Sequence, residues 1–357
     1  MKKTIALISV LALMMALLAG CAGTTVVIGQ CTCPAGSHNT PQPTVPTEGA
    51  LKTGLSVSVK ISDSTSATAE AAGAAKYDIT LAAVTVDNNG VIVSCVIDSI
   101  PATVNFNNAG VITSDLTKEV LTKNELGDAY GMVSFGGAIA EWDEQVAAVA
   151  KYAVSKTVEQ LKNGDIDMNT GMAKDGTDLS SSATIYLAGY VYAIEAAVNN
   201  AKHLGAQAGD ELVLTTLSSL KSSTSATADK AGNAQLDSDI AVLTTKDGVI
   251  TSCVIDSVQA KIAFDATGKI TTNLSDIIKT KNELGKEYGM VAWGGAISEW
   301  NEQAAAFAAY ITGKTAAEVA GIAITETTKP AAGTDLSASV TIAIGGFQAL
   351  IAKAMQK

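Results

Sequence analysis

Residues 280–310 read TKNELGKEYGMVAWGGAISEWNEQAAAFAAY, and residues 122–152 read TKNELGDAYGMVSFGGAIAEWDEQVAAVAKY. At a constant offset of 158, 22 of the 31 aligned positions are identical. Self-similarity at so long a period means that one folded unit occurs twice. Within the later copy a turn-like Glu283-Leu284-Gly285 leads to the pair Gly294-Gly295. Trp300, Ala304, Phe307 and Ile311 then fall at i, i+4, i+7 and i+11, one face of an amphipathic helix. The earlier copy repeats the pattern with Glu125-Leu126-Gly127 and with Trp142, Val146, Val149 and Ala153. Glu299 and Gln303, and their counterparts Glu141 and Gln145, fall off that stripe. Trp142 and Trp300 read as core anchors, the alternative being an indole that stacks on a ligand.

Working outward, 357 residues set a prior of two or three domains, and the repeat selects two. Each half is long enough to bury a core. The apolar content of 47% with only 4% aromatic residues means a globular composition with cores of small side chains. A net charge of −11 excludes nucleic acid as a partner, because a polyanion is repelled. The chain has no arginine, so a bound phosphate must be held by lysine, hydroxyls or backbone N–H groups. With His38 and His203 as the only histidines, imidazole catalysis and histidine-rich metal sites are excluded.

Residues 1–20 read as a signal peptide: Lys2-Lys3, an apolar run, then small residues before Cys21. Leu18-Ala19-Gly20-Cys21 resembles a bacterial lipobox, which implies acylation of Cys21 and anchoring in membrane lipid on the extracytoplasmic face of the cell membrane. Residues 21–50, rich in Thr, Pro and Gly, read as a tether. Cys31, Cys33 and His38 lie in it; a redox or metal site is one reading, but a C-x-C disulfide is strained and two Cys with one His leave a tetrahedral site open.

Repeat one spans 51–205 and repeat two 206–357. Each opens with a Ser-Thr-Ser-Ala-Thr-Ala segment, at 64–69 and 223–228. Strands are expected at 77–86 and 91–97 around the turn Asn88-Asn89-Gly90, matched by Asp247-Gly248 in repeat two, and short ones at 102–105 and 261–264. Cys95 and Cys253 occupy equivalent strand positions and read as buried free thiols. Asp178-Leu179-Ser180-Ser181-Ser182-Ala183-Thr184 and Asp335-Leu336-Ser337-Ala338-Ser339-Val340-Thr341 each place a threonine at the mouth of a closing helix. The expected fold is α+β: two tandem repeats, each an antiparallel sheet with packed helices.

The order strand hairpin, Glu-Leu-Gly, Trp helix, Gly313-Lys314-Thr315, then Asp-x-x-Ser-x-x-Thr resembles the FMN-binding domain family. That family includes the covalent-FMN subunits of the Rnf and sodium-pumping NADH:quinone reductase complexes and extracellular flavin-carrying lipoproteins. The resemblance implies FMN joined by a flavin transferase, through a phosphoester, to the last hydroxyl of the motif. Carried over by position, the motif falls on Asp178, Ser181, Ser182, Ala183 and Thr184, and less completely on Asp335 and Thr341, where Ala338 and Val340 depart. Ser182 and Ser339 replace the family's glycine. A hydroxyl at a helix N-terminus suits a phosphate, though Ser, Thr and Asp also cap ordinary helices.

Two function classes follow: an extracytoplasmic flavin-based electron carrier served by a membrane electron donor, and a flavin-free binding or structural lipoprotein on the same fold. Hydrolysis is excluded, because no nucleophile can be grouped with either histidine.

Overall fold

The computed structural model describes residues 49–356. Residues 1–20, read as a signal peptide, and residues 21–48 of the expected tether, with Cys21, Cys31 and Cys33, lie outside the described residues.

Three strands, Lys52–Lys60 (β1), Gly73–Val86 (β2) and Ile92–Phe106 (β3), form an antiparallel sheet in that order. The β2–β3 turn is the expected one. The Asp87 carboxylate accepts the N–H groups of Asn89 and Val91, each at 2.8 Å, and Gly90 takes φ +78°. The strands expected separately at 91–97 and 102–105 are one. Pro101 does not break it, because β3 is an edge strand with one side of its ladder unpaired. β1 precedes the expected hairpin and contains Gly54. That glycine is required by packing, since a Cβ there would lie 2.0 Å from the Ala197 carbonyl oxygen.

There follow Lys123–Leu126 (α1), Met132–Gly136 (α2), Trp142–Ala153 (α3), Val158–Asn163 (α4), the small hairpin Ile166–Asp167 (β4) and Met172–Ala173 (β5), Asp178–Ser182 (α5) and Ala188–Asn200 (α6). The second half gives Glu211–Ser219 (β6), Gly232–Lys246 (β7) and Val249–Phe264 (β8), again antiparallel in chain order. Its turn, Asp247 at φ +51° and Gly248 at +77°, has the two positive φ values of a tight hairpin. Lys281–Leu284 (α7), Met290–Gly294 (α8), Trp300–Ile311 (α9), Ala316–Ala320 (α10), a 3-10 turn at Asp335–Ala338 and Gly345–Ala354 (α11) complete the chain. The α+β class is therefore as expected. Gly313, at φ +85°, ends the α9 region, and Thr315 caps α10 by accepting from the Glu318 N–H at 3.3 Å.

The expected helix stripe is buried: Trp300, Ala304, Phe307 and Ile311 in α9, and Trp142, Val146, Val149 and Ala153 in α3. Two outer cores form where α3 and α6 cover one face of the first sheet and where α9 and α11 cover one face of the second. The inner faces of the two sheets meet in a third core that contains Tyr77, Ile79, Leu81 and Phe106 together with Leu236, Ile240, Val258 and Phe264. The layers run helices, sheet, sheet, helices. The expectation that each half buries a core of its own thus holds only on the outer faces, and the central core belongs to both.

At its centre Phe106 and Phe264 stack with centroids 4.1 Å apart, and Tyr77 donates to the Ala234 carbonyl at 2.8 Å. The two Ser-Thr-Ser-Ala-Thr-Ala segments prove to be reciprocal clasps. Ser225 Oγ accepts the Ile112 N–H and Ser66 Oγ accepts the Ile270 N–H, each at 2.9 Å. The Ala226 N–H donates to the Gly110 carbonyl and the Ala67 N–H to the Gly268 carbonyl, each at 2.8 Å. Among the described residues no helix is long and apolar enough to cross a membrane.

Candidate functional site

The repeated Glu-Trp-x-Glu-Gln begins each long helix. Glu144 reaches back to the Glu141 N–H at 3.0 Å, one half of a capping box, and Glu302 does the same for Glu299. Glu141 itself is buried and turns the other way: its carboxylate accepts the N–H groups of Met132 at 2.8 Å and Val133 at 3.0 Å. Glu299 accepts from Met290 and Val291 at 2.8 and 3.1 Å. A carboxylate on the open N–H groups of a helix end stabilises that end. These contacts fix α2 and α8, which project from the surface. Phe135 is 91% exposed and Trp293 85%, and both are flanked by exposed valines and isoleucines, Val133 with Ile139 and Val291 with Ile297.

The glutamines off the stripe are fully buried, contrary to the periodicity argument. The reason is polar: Gln145 Nε2 donates to the Ala140 carbonyl at 2.9 Å, while its Oε1 accepts the Thr184 N–H at 2.8 Å and faces the Thr184 hydroxyl at 3.4 Å. Gln303 repeats this with Ser298, with the Thr341 N–H at 2.7 Å and hydroxyl at 3.2 Å, and adds the Ile342 N–H at 3.2 Å. One buried amide therefore joins the projecting aromatic loop to the motif threonine. Periodicity places these glutamines off the buried stripe, and their identity in both copies is the sequence signal of their role.

Neither threonine stands at a helix mouth, which corrects the expectation. α6 begins at Ala188 behind Leu187 and α11 at Gly345 behind Ile344, with no side-chain cap at either. The cap in this region is Thr177, whose hydroxyl accepts the Ser180 N–H at 3.3 Å and so starts α5. The helix-dipole argument for a phosphate on Thr184 does not apply. Asp178, Ser181, Ser182 and Thr184 are exposed around a buried Ala183, whereas Thr341 is half-buried behind a buried Val340. Ser182 ends α5 with its hydroxyl donating to the Asp178 carbonyl at 3.2 Å, and Ser339 has φ −118°. Neither serine takes a left-handed conformation, so this backbone does not demand the family's glycine.

The other residues of the resemblance are engaged elsewhere. Thr122 and Glu125 cap α1 reciprocally at 3.2 and 3.0 Å, and Gly127 follows Leu126 at φ +47° and ψ −126°, open only to glycine. Glu283, Leu284 and Gly285 repeat this turn, with φ +47° at Gly285. Glu125 also pairs with Lys353 of the second half at 2.5 Å. The structure brings Thr184 to Gln145, and places Glu125 against another element.

Trp142 and Trp300 are core residues. The indole N–H of Trp142 donates to the Tyr190 hydroxyl at 3.0 Å, Trp300 meets Phe347 edge-on, and Lys123 and Lys281 lie 5.0 and 4.9 Å from the two indole rings. Cys253 is buried and Cys95 half-buried, and both are free. Burial pushes the thiols up, that of Cys95 to about 12, so neither is a thiolate at neutral pH. No family model matches this sequence, and comparison with curated proteins and with solved structures finds no match.

Proposed function

We propose that this chain is a lipoprotein anchored through acylated Cys21 on the extracytoplasmic face of the membrane. It comprises two tandem FMN-binding-like units, 51–205 and 206–357, and carries FMN on Thr184 as an electron carrier for a membrane donor. The observation that carries the reading is the exposed Thr184 hydroxyl presented by the fully buried Gln145, inside the segment that resembles the flavin acceptor motif. The residues fit the group. A phosphoester at Thr184 removes only the 3.4 Å hydroxyl contact and leaves the 2.8 Å N–H anchor, while the exposed Ser181 hydroxyl offers a donor in a chain without arginine. Phe135 and Ile139 supply exposed apolar surface on the loop tied to the same glutamine. Bound FMN would supply one-electron and two-electron transfer; the protein's part is to hold its phosphate end and limit solvent around it.

The test is production with and without a flavin transferase, read by absorbance and intact mass. An FMN-phosphoryl mass on the peptide that contains Thr184, lost in Thr184→Ala and retained in Thr341→Ala, supports the reading. A colourless protein under both conditions removes it. The second reading, a flavin-free binding lipoprotein, is favoured by the exposed Phe135 and Trp293 loops, which both halves keep although only Thr184 is freely exposed. Anchoring is tested separately: Cys21→Ala should move the protein from the membrane fraction to the medium or stall processing.

A further inference from the structure

The two halves differ at a paired position that extends a cleft on one side. On the first half's side Lys353, from α11, inserts its ammonium between Glu125, at 2.5 Å, and the Thr216 carbonyl, at 2.9 Å. The equivalent residues of the other side follow from strand register. Gly54 pairs with Val84 and Val84 with Cys95, while Val213 pairs with Leu243 and Leu243 with Cys253. Val57 is therefore the counterpart of Thr216, and Glu283 that of Glu125. The matched acceptor segments, Asp178 with Asp335 and Thr184 with Thr341, place Ala196 opposite Lys353.

Where the lysine is missing there is a cavity of about 700 Å³ between α9, the outer face of β8, β1 and the end of α6. The equivalent cavity between α3 and β3 measures about 460 Å³, and its lining stops short of Glu125 and β6, where Lys353 lies. Val57, Asn200, Asp256, Asn282, Glu283 and Asn301 are on its lining. Glu283 keeps its capping bond to the Thr280 N–H at 2.8 Å, but among the described residues no cation pairs with it. Exposed Lys202, also on the lining, pairs with no carboxylate there. Asn301 Oδ1 is buried in this wall without a hydrogen-bond partner, as is its counterpart Asp143 Oδ1 in the smaller cavity of the other side.

We infer that this cleft is a binding site for an aliphatic ammonium on a stem of about four carbons, the chemistry that Lys353 supplies internally on the opposite side. Glu283 receives the ammonium, as Glu125 does that of Lys353, and the Val57 carbonyl stands where the Thr216 carbonyl accepts. The stem lies along Leu55 and Ala308, both on the cavity wall. A free diamine and a lysyl side chain share this chemistry, and separate ligands distinguish them.

The experiment is calorimetric titration of the full-length protein with cadaverine and, in a second arm, with acetyl-lysine amide. The wild type should bind one equivalent of at least one of the two, the tighter naming the source. Glu283→Gln, which keeps the capping geometry because glutamine also serves at that helix position, should weaken binding at least about tenfold. Ala196→Lys should fill the cleft from within and abolish binding, whereas Lys353→Ala should vacate the opposite side and raise the stoichiometry to two. No binding of either ligand by the wild type at about 10 mM, or equal affinity in Glu283→Gln, overturns the proposal. Neither result depends on flavin.

Discussion

At the residue scale, single side chains that each satisfy several backbone groups dominate the candidate site. Replacing Gln145 with Leu strips partners from the Thr184 N–H and the Ala140 carbonyl, both partly shielded from water, at about 1 kcal/mol each, the lower end for an unsatisfied group. Gln303 accepts one N–H more than Gln145, from Ile342. Urea denaturation should therefore show Gln303→Leu as the more damaging of the two, and equal midpoints would mean that the extra contact contributes nothing. Trp300→Ala should cost about 3–5 kcal/mol through the cavity it leaves beside Phe347. If it instead stripped a bound chromophore with unchanged stability, the core-anchor assignment would be wrong.

At the element scale, the short α7 turn is mounted on β8 through one buried carboxylate. Asp256 accepts the Ser257 N–H at 2.7 Å and the Asn282 N–H at 3.1 Å, yet burial pushes its carboxyl up to about 6, more than these bonds hold it down. Between about pH 4 and pH 6 the folded chain holds a proton that the unfolded chain has released, so stability falls as pH rises through that window. With a shift of this size the loss attributable to Asp256 is roughly 1–3 kcal/mol. Asp256→Asn should flatten that part of the stability profile; an unchanged difference between pH 4 and pH 7 would show that other groups set it. Asp98, its counterpart under α1, is raised for the same reason and adds in the same direction.

At the scale of the whole molecule, the inner core and the reciprocal clasps make the halves interdependent. Residues 51–205 alone would expose Tyr77, Ile79, Leu81 and Phe106, a face too apolar for water. That fragment should aggregate or pair with itself, and a stable monomer by sedimentation would contradict the shared core. Gly110→Ala should destabilise both halves together, because its Cβ would meet Ala226 Cβ at 2.7 Å and the Asp265 carbonyl at 2.8 Å, at a residue held at φ +66°. The expected signature is one cooperative transition at lower temperature, and two separated transitions would mean that the clasp does not couple the units.

The sequence by itself determined the elements that local chemistry specifies. The helix stripes from Trp142 and Trp300, the Asp87–Gly90 and Asp247-Gly248 turns, and the duplication all rest on spacing, capping and left-handed glycines, which act within a few residues. Tertiary structure decided the rest, because it depends on groups distant along the chain. Gln145 is buried, against its place off the stripe, because Thr184 and Ala140 satisfy it. Thr184 stands apart from α6 because the chain leaves α5 at Ser182 and runs extended through Ala183 before α6 begins at Ala188. The apolar inner faces of two sheets could have closed two cores or one, and only the register that stacks Phe106 on Phe264 made them one.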